Sequence, residues 1–206
     1  MLGEVYGATG GAAVARRVLD IGAGTGAVTR ALRAHFGAGQ TIVEVDQVAV
    51  SPNTRVVDVT SLGALTALGG PFDLVIAAHV LNELFVADDV PRRAARLSTL
   101  VRAWCEKLLA RGGTLILLEP ALRETSRMLL TVRDQVLAAG LHIVAPCFFT
   151  GPCPALLNDR DWCHDNASNG SQRRVDFSYL VIRGSGEVAS DPTRFRIVSD
   201  PLPEKG

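Results

Sequence analysis

The stretch VLDIGAGTGAV, residues 18–28, constrains the fold of this chain more than any other segment. A short apolar strand leads into three alternating glycines, Gly22, Gly24 and Gly26, and a segment with helical spacing follows. Glycines at such a turn let the backbone bend sharply and approach a ligand, while the helix directs its N-terminal amides at that ligand. The G-x-G-x-G pattern is one residue tighter than the dinucleotide fingerprint. A tight turn without a ligand is the structural alternative.

Apolar strands alternate with helical segments along the rest of the chain. The predicted strands are RRVLDIG, TIVEVD, RVVDV, FDLVIAAHV, TLILLEP, LHIVAP and VDFSYLVIR. The predicted helices are AVTRALRAHF, VPRRAARLSTLVRAWCEKLLARGG and ALRETSRMLLTVRDQVLAAG. This alternation predicts a parallel sheet with right-handed crossovers, which is a doubly wound α/β architecture. The length of 206 residues fits a single domain over 1–206, with a loosely ordered polar tail over 184–206.

Carboxylates stand where the first three predicted strands end. Asp20 precedes the glycine loop, where it would repel a pyrophosphate but accept hydrogen bonds from an ammonium or hydroxyl group. Asp46 closes the second strand, roughly where a carboxylate binds a ribose in nucleotide-binding sheets, and Glu44 competes for that role. Asp58 ends the third strand and is placed to meet an adenine amine.

The glycine loop and these aspartates together resemble the class I S-adenosylmethionine-dependent methyltransferases over roughly Arg17 to Val144. The resemblance implies a Rossmann-like sheet with S-adenosylmethionine as the cofactor. It also implies that the segment from Asp20 to Gly26 holds the methionine part. Asp46 would hold the ribose, and Asp58 would lie near the adenine.

The segment AAHVLNEL follows the fourth predicted strand, where such enzymes present groups to the substrate. His79 is a candidate base, and Asn82 or Glu83 is a candidate for orienting an acceptor. Alternatively, His79 is a packed strand-end histidine and Glu83 caps a helix. The Asn- or Asp-Pro-Pro-aromatic run of nucleic-acid amino-methylating enzymes is not found here. Methyl transfer from a sulfonium can need only positioning, so the catalytic residues and the acceptor stay unassigned.

Three of the four cysteines, Cys147, Cys153 and Cys163, occur in APCFFTGPCPALLNDRDWCHD, residues 145–165. Thiols grouped in a Pro- and Gly-rich loop of an intracellular protein indicate a metal site or catalysis rather than disulfides. Zinc commonly uses C-x2-C pairs, and iron–sulfur clusters usually use four cysteines. Unrelated structural thiols are one alternative. A nucleophilic cysteine, as in RNA cytosine-C5 methyltransferases, is another, although that cysteine belongs after the fourth strand and Cys147 follows the sixth.

A second resemblance joins several motifs. The segments LLEPALRETSRMLLTVRDQVLAAG, APCFFTGPCPALLNDRDWCH, FSYLVIR and SDPLPEKG are similar to the ribosomal small-subunit-associated methyltransferase-like family of bacteria and mitochondria. The resemblance implies action on the small ribosomal subunit or its rRNA, in assembly or translation. It also implies a 4Fe-4S cluster on Cys147, Cys153 and Cys163, in a loop inserted between the last two strands. Zinc is the alternative metal.

The fourth ligand of this metal site is open. In relatives the fourth cysteine lies beyond the PLPEKG motif, where this chain stops, and the histidine that follows the first cysteine is replaced in PCFF. The remaining candidates are His164, Cys105 and a group outside the chain. A truncated chain with an incomplete site is a further expectation, because the N-terminal helical region of relatives is also missing.

The balanced charge bears on partners, since 21 basic and 21 acidic residues give a net charge of zero. This removes any general electrostatic case for nucleic-acid binding, so an RNA contact would need a local patch. Five arginines occur near the cysteines, but acidic residues interleave with them, which favours a solvated mixed-charge face over phosphate contacts. They are Arg123, Arg127, Arg160, Arg173 and Arg174.

The N-terminus does not resemble a signal peptide, and no segment predicts a membrane span, so we expect a cytoplasmic protein with no membrane or DNA partner. Three functions follow from the sequence. The first is an S-adenosylmethionine-dependent methyltransferase of ribosomal RNA or protein. The second is a catalytically inactive ribosome-assembly factor that only binds cofactor and RNA. The third is a small-molecule methyltransferase, for which a lid over the cofactor would be needed.

Overall fold

The computed structural model describes residues 15–168 and 174–183. The first half of this part contains β1 (Arg17–Ile21), α1 (Ala27–Phe36), β2 (Thr41–Asp46), β3 (Arg55–Val56), α2 (Leu62–Thr66) and β4 (Phe72–Ala78). The second half contains α3 (Val90–Leu108), β5 (Leu109–Pro120), α4 (Arg123–Ala138), β6 (His142–Ala145), β7 (Asp165–Ser168) and β8 (Arg174–Arg183). A single 3-10 turn, Pro154–Leu156, lies in the segment between β6 and β7.

The strands form one mixed sheet in the order β3-β2-β1-β4-β5-β8-β6, with β7 paired to β8. Neighbours from β3 to β5 are parallel, whereas β8 runs antiparallel to β5, β6 and β7. The expectation of a wholly parallel sheet is therefore wrong at β8. β7 ends at Ser168 and β8 begins at Arg174. Two strands joined by so short a connection pair in opposite directions.

Apolar side chains cover both faces of the sheet. One face packs against α3 and α4 through Leu97, Trp104 and Val132, among other buried residues. The other face packs against α1 through Val28 and Leu32. The central strand β4 is buried on both faces, which explains its near-continuous apolar sequence. The carboxyl ends of β1, β2 and β4 consequently meet at one edge, where the glycine loop lies.

Several element boundaries differ from those predicted. The helix expected to run to Gly112 ends at Leu108, and β5 begins at Leu109, five residues earlier than expected. The third strand is only Arg55–Val56 rather than RVVDV. The short helix α2 and strand β7 were not predicted. Helix α3 begins as expected, because Asp89 accepts a hydrogen bond from Arg92 N at 2.9 Å and Pro91 occupies the first turn.

The segment 146–164, which we call the cysteine loop, connects β6 to β7. It was predicted between the last two strands, but β7 adds a strand before the last. The tail predicted over 184–206 lies outside the described residues, as does the SDPLPEKG motif. No helix in the described ranges is long and apolar enough to cross a membrane.

Candidate cofactor and active site

The glycine loop has a backbone conformation that favours glycine. Gly22, Gly24 and Gly26 have φ angles of 71°, 49° and 77°. The amides of Gly22 and Ala23 donate to Val45 O at 2.9 and 3.0 Å, which fixes the loop on the end of β2. A Cβ atom on Gly22 would lie 2.4 Å from Val80 Cγ2, so this position has no room for a side chain. The turn therefore brings bare backbone to the edge of the sheet.

Asp20 is a buried carboxylate with an unsatisfied oxygen. Its residue is 0% exposed, and Thr29 Oγ1 donates to Oδ2 at 3.4 Å. Oδ1 has no hydrogen-bond partner among the described residues. Burial raises the pKa of Asp20 to about 7, and the charges of Glu44 and Asp46 add to this effect. A buried acceptor of this kind needs a donor, and a cationic donor such as an ammonium group would satisfy it best.

Asp46 and Glu44 border the same loop. Asp46 Oδ2 accepts from Gly24 N at 2.9 Å, and Oδ1 accepts from Val48 N at 3.2 Å. Glu44 Oε1 lies 3.4 Å from the position that a Cβ on Gly26 would take. Asp46 therefore fixes the glycine loop, while the Glu44 carboxylate lies beside the N-terminus of α1. The sequence left the ribose role open between these two residues, and both lie within reach of the loop.

A cavity of about 510 Å³ lies at the carboxyl ends of β2, β3 and β4. This volume is within the usual range of small-molecule sites. Asp58 lines it and accepts hydrogen bonds from Thr60 N at 2.9 Å and Thr60 Oγ1 at 2.7 Å. These bonds lower the pKa of Asp58. The other lining residues are Gln47, Val56, Val57, Thr60, Glu83, Leu84 and Phe85.

The geometry fits S-adenosylmethionine in two respects. The unsatisfied Asp20 oxygen matches its ammonium group, and the glycine loop leaves backbone space at that point. The 510 Å³ cavity beyond Asp46 offers space for the nucleoside part. Phe85 and Gln47 were missed by the sequence interpretation. A signal for Phe85 existed, since an aromatic residue shortly after the fourth strand is placed to contact a ligand at that edge.

The three candidate catalytic residues in the turn after β4 differ in their exposure and in the direction of their side chains. His79 is exposed and has φ 60°, a left-handed conformation that is uncommon for a non-glycine residue. Asn82 is directed inward: with its amide nitrogen facing the two acceptors, it donates to Glu119 Oε2 at 3.0 Å and to His79 O at 2.8 Å. Glu83 is exposed and lines the cavity. His79 and Glu83 thus face solvent or cavity, and Asn82 does not.

Glu119 stabilises this turn by accepting hydrogen bonds from it. The sequence interpretation missed this residue. It is 1% exposed, and its Oε1 accepts from Leu81 N at 2.8 Å. Burial raises the pKa of Glu119 to about 7, although the backbone donors of the turn oppose the shift. Arg93 donates to the carbonyls of Leu81, Asn82 and Leu84 at 2.8–3.1 Å. The sequence signal for Glu119 was an acidic residue near the end of the apolar run TLILLEP.

The cysteine loop contains three half-buried thiols, those of Cys147, Cys153 and Cys163. Cys153 lies close enough to Cys163 for the two groups to interact electrostatically, and burial raises the pKa of Cys153. Within 15–168 and 174–183, however, no group of three or more His, Cys, Asp or Glu side chains is placed to hold a metal ion. The described residues therefore do not by themselves form the predicted site.

The two remaining ligand candidates, Cys105 and His164, have different surroundings. Cys105 is buried in α3, and burial raises its pKa to about 12, as expected for an apolar core thiol. The ring of His164 stacks beside that of Trp162, with centroids 6.2 Å apart.

The arginines near the cysteine loop bind its backbone. Arg127 Nη1 donates to the carbonyls of Ala155, Asn158 and Asp161 at 2.6–3.1 Å, and Arg123 donates to Asp159 O. These two residues nevertheless lie on a mixed-charge face, since Arg123 is exposed and Arg127 also pairs with exposed Asp159 at 3.4 Å. Arg174 forms an ion pair with Asp176 at 2.7 Å. Arg160 is exposed, and Arg173 lies outside the described residues.

The pKa of Asp20 predicts a pH dependence of stability. Because its folded pKa of about 7 exceeds the ordinary 3.8, the folded protein binds this proton more tightly than the unfolded chain. The contribution of Asp20 to stability is therefore greatest at low pH and falls as pH rises from about 4 to about 7. We expect Asp20→Asn to stabilise the cofactor-free protein above pH 7 by up to about 4 kcal/mol, at 1.36 kcal/mol per pKa unit.

Urea unfolding at several pH values measures this effect. Glu119 titrates in the same window, so the variant should reduce the pH dependence without removing it. The exposed Glu106→Gln substitution is the control and should leave the profile unchanged. An Asp20→Asn profile that parallels the wild-type profile would show that Asp20 is ionised in the folded state without penalty.

Comparison with protein families matches residues 50–199 to the family described as the mitochondrial small ribosomal subunit protein Rsm22. The match covers more than half of the chain and includes β4, Glu119 and the cysteine loop. No curated protein matches the chain.

Solved structures share the fold. The N-methyltransferase NodS from Bradyrhizobium japonicum WM9, in complex with S-adenosyl-L-homocysteine, has a TM-score of 0.54 and 16% identity over 89% of this chain and 85% of that chain. A second NodS structure has a TM-score of 0.51 and 16% identity over 89% and 94%. A methyltransferase from Pyrococcus furiosus has a TM-score of 0.51 and 12% identity over 83% and 76%. At these identities the similarity establishes the Rossmann-like methyltransferase fold.

Proposed function

Because the chain belongs to the family of the mitochondrial small ribosomal subunit protein Rsm22 and has a methyltransferase fold, we propose that it binds S-adenosylmethionine and methylates the small ribosomal subunit. The acceptor would be rRNA or a ribosomal protein. The observation that carries the cofactor assignment is the buried, unpartnered Oδ1 of Asp20 beside a loop in which every second residue is glycine. A nucleotide phosphate would be repelled there, whereas an ammonium group would be bound.

Each part of the site has a role in this proposal. Asp20 accepts from the ammonium group, Asp46 and Glu44 border the ribose, and Asp58 lies on the adenine side of the cavity. The bound cofactor supplies a methyl group on a positively charged sulfur. The protein has only to orient an acceptor in line with that group, because displacement at a sulfonium needs positioning more than acid–base catalysis.

His79 is our candidate for contact with the acceptor. It is exposed at the carboxyl end of β4, and its unusual backbone conformation is maintained by Asn82, which donates to its carbonyl. An imidazole at this position would accept a proton from an acceptor nitrogen or oxygen. Glu83 lines the cavity and would help orient the substrate.

The alternative is an assembly factor that binds cofactor and RNA without turnover. The inward orientation of Asn82 favours this alternative. Only two of the three candidate catalytic residues, His79 and Glu83, then face outward and can contact an acceptor. Under this alternative the small subunit is still bound, but no methyl group is transferred.

Calorimetric titration with S-adenosylhomocysteine, with ATP and NAD as comparison ligands, tests the cofactor assignment. We expect S-adenosylhomocysteine alone to bind. Co-sedimentation with purified small ribosomal subunits tests the partner. Binding of NAD instead would contradict the cofactor assignment, and failure to sediment with subunits would contradict the ribosomal one. The cytoplasmic location stays a prediction, since the matching family is described as mitochondrial.

We also propose, from the family resemblance, that Cys147, Cys153 and Cys163 hold a 4Fe-4S cluster or zinc, with a fourth ligand outside the described residues. The electrostatic interaction between Cys153 and Cys163 supports binding of one metal centre by both thiols. Iron, sulfide and zinc are to be measured in protein purified without oxygen. We expect metal that is lost in Cys153→Ser and retained in the buried control Cys105→Ser. Wild-type protein without metal would contradict the proposal.

A further inference from the structure

A cleft of about 390 Å³ is lined by residues of α1, β2 and β3, and it adjoins the glycine-loop edge through Thr29 and Glu44. Its lining residues come from α1, from the first four residues of β2, and from β3 and the connection that precedes it. The connection between β2 and β3, residues 47–54, contains no helix. The lining residues are Thr29, Arg33, Thr41, Ile42, Val43, Glu44, Asn53 and Arg55.

The cleft has two exposed guanidinium groups. Arg33 comes from α1 and Arg55 from β3, and neither forms an ion pair or side-chain hydrogen bond with another described residue. This differs from Arg123, Arg127 and Arg133, which all donate to backbone carbonyls of the cysteine loop. Arg33 and Arg55 have no side-chain partner among the described residues and line the same cleft. Together they form a local positive patch on a chain with no net charge.

The cleft also contains one carboxylate, that of Glu44. Its Oε1 lies 3.4 Å from the position that a Cβ on Gly26 would take, and in the part of the chain that the structure describes it forms no ion pair with Arg33 or Arg55. Thr41 and Asn53 are exposed polar residues whose side chains form no hydrogen bond with described residues. They offer donors and acceptors for hydroxyl groups beside the arginines.

We infer that this cleft binds the sugar-phosphate backbone of single-stranded RNA, with Arg33 and Arg55 on phosphate and Thr41 and Asn53 on ribose hydroxyls. Arginine matches phosphate oxygens bidentately, and the 2′-hydroxyl is the group that distinguishes RNA from DNA. The inference rests on the proposed ribosomal function and adds the surface through which RNA is contacted. A chain with zero net charge needs a local basic patch to bind RNA, and this cleft would be that patch.

Fluorescence anisotropy with a labelled single-stranded RNA oligonucleotide tests the inference. We expect wild-type protein to bind RNA more tightly than DNA of the same sequence. The Arg33→Glu/Arg55→Glu double variant should lose at least about tenfold in RNA affinity at low salt. For Arg33→Gln/Arg55→Gln, the slope of log affinity against log salt should fall in magnitude by about 1.4, as expected for two lost phosphate contacts on a single strand.

The matched control is Arg102→Glu/Arg111→Glu, which makes the same charge change at exposed positions of α3 and β5. Equal losses in both double variants would overturn the inference, because a general charge effect would explain them. Equal affinity for RNA and DNA would overturn the ribose contacts. Binding to whole subunits that needs Arg33 and Arg55, without binding to naked RNA, would assign the cleft to a ribosomal protein instead.

S-adenosylhomocysteine titration of the same variants separates this inference from the proposed function. Arg33 and Arg55 do not contact the glycine loop, so both double variants should retain cofactor affinity. Loss of RNA binding with intact cofactor binding supports the cleft. Intact RNA binding in the cleft variant overturns the cleft and leaves the cofactor assignment standing.

Discussion

The Gly24→Asp variant should lose S-adenosylhomocysteine affinity by a factor of about a hundred or more, equivalent to about 3 kcal/mol of binding free energy. Gly24 has φ 49°, and a Cβ there meets only Gly22 O at 4.0 Å. Aspartate tolerates left-handed backbone better than most residues, so the loop should keep its conformation. The added carboxylate, however, extends from the loop surface beside Asp46, whose Oδ2 already accepts from Gly24 N. It therefore places bulk and a second negative charge where the cofactor would bind, and this lowers the affinity.

Calorimetry compares this variant with Gly39→Asp, which adds the same group at an exposed glycine with nothing within 4 Å. The control should bind as wild type does, and both variants should unfold at similar urea concentrations. If Gly24→Asp retained wild-type affinity, the glycine loop would be a structural turn rather than part of a cofactor site.

The second large effect is on stability, at Arg133 in α4. This residue is only 2% exposed. Its Nη1 donates to Asp134 Oδ1 at 2.5 Å and to Gly151 O at 2.8 Å, and its Nη2 donates to Phe149 O. Asp134 Oδ2 in turn accepts from Cys153 N at 2.8 Å. This network joins α4 to the cysteine loop through a buried charge and its partners.

We expect Arg133→Met to lower the free energy of unfolding by about 3 kcal/mol, because it removes a buried guanidinium that donates to half-buried Asp134 and to two loop carbonyls. The methionine fills much of the volume, but it leaves Asp134 and two loop carbonyls without their donor. Urea unfolding measures the loss, and amide hydrogen exchange locates it. Exchange should accelerate over 146–164 more than in the central strands β1 and β4.

The exposed Arg102→Met substitution is the matched control, since Arg102 pairs only with Glu106 at 3.7 Å on the helix surface. It should change stability by less than about 1 kcal/mol. Equal stability of the two variants, with unchanged exchange in the cysteine loop, would show that the loop is held by something other than this network.

The sequence predicted the glycine-loop edge well because its determinants are local. The apolar run of β1, the glycines with positive φ and the helix Ala27–Phe36 are adjacent in the chain, and the predicted helix bounds agree with the structure. Carboxylates at strand ends were also found, since parallel strands bring their carboxyl ends to one edge.

The features that the sequence did not reveal depend on contacts between distant segments. Glu119 meets Leu81 across 38 positions, and Arg133 meets Phe149 across 16. Neither contact follows from local periodicity, so Glu119 was assigned only to a strand end and Arg133 was missed. The β7 segment Asp165–Ser168 contains no apolar run and forms through its pairing with β8.

The cysteines show the same limit for ligand geometry. Their spacing and family resemblance predict a shared site, and the structure brings Cys153 near Cys163. A complete ligand set is not assembled within the part of the chain that the structure describes. Metal analysis of the whole protein is therefore the test for this part of the prediction.

Transfer of a labelled methyl group from S-adenosylmethionine to purified small ribosomal subunits tests the central claim most directly. We predict that wild-type protein labels subunit rRNA or protein and that Gly24→Asp does not, whereas Gly39→Asp does. No label in any subunit component, under conditions where S-adenosylhomocysteine binds and the protein sediments with subunits, would contradict methylation and favour the inactive assembly factor.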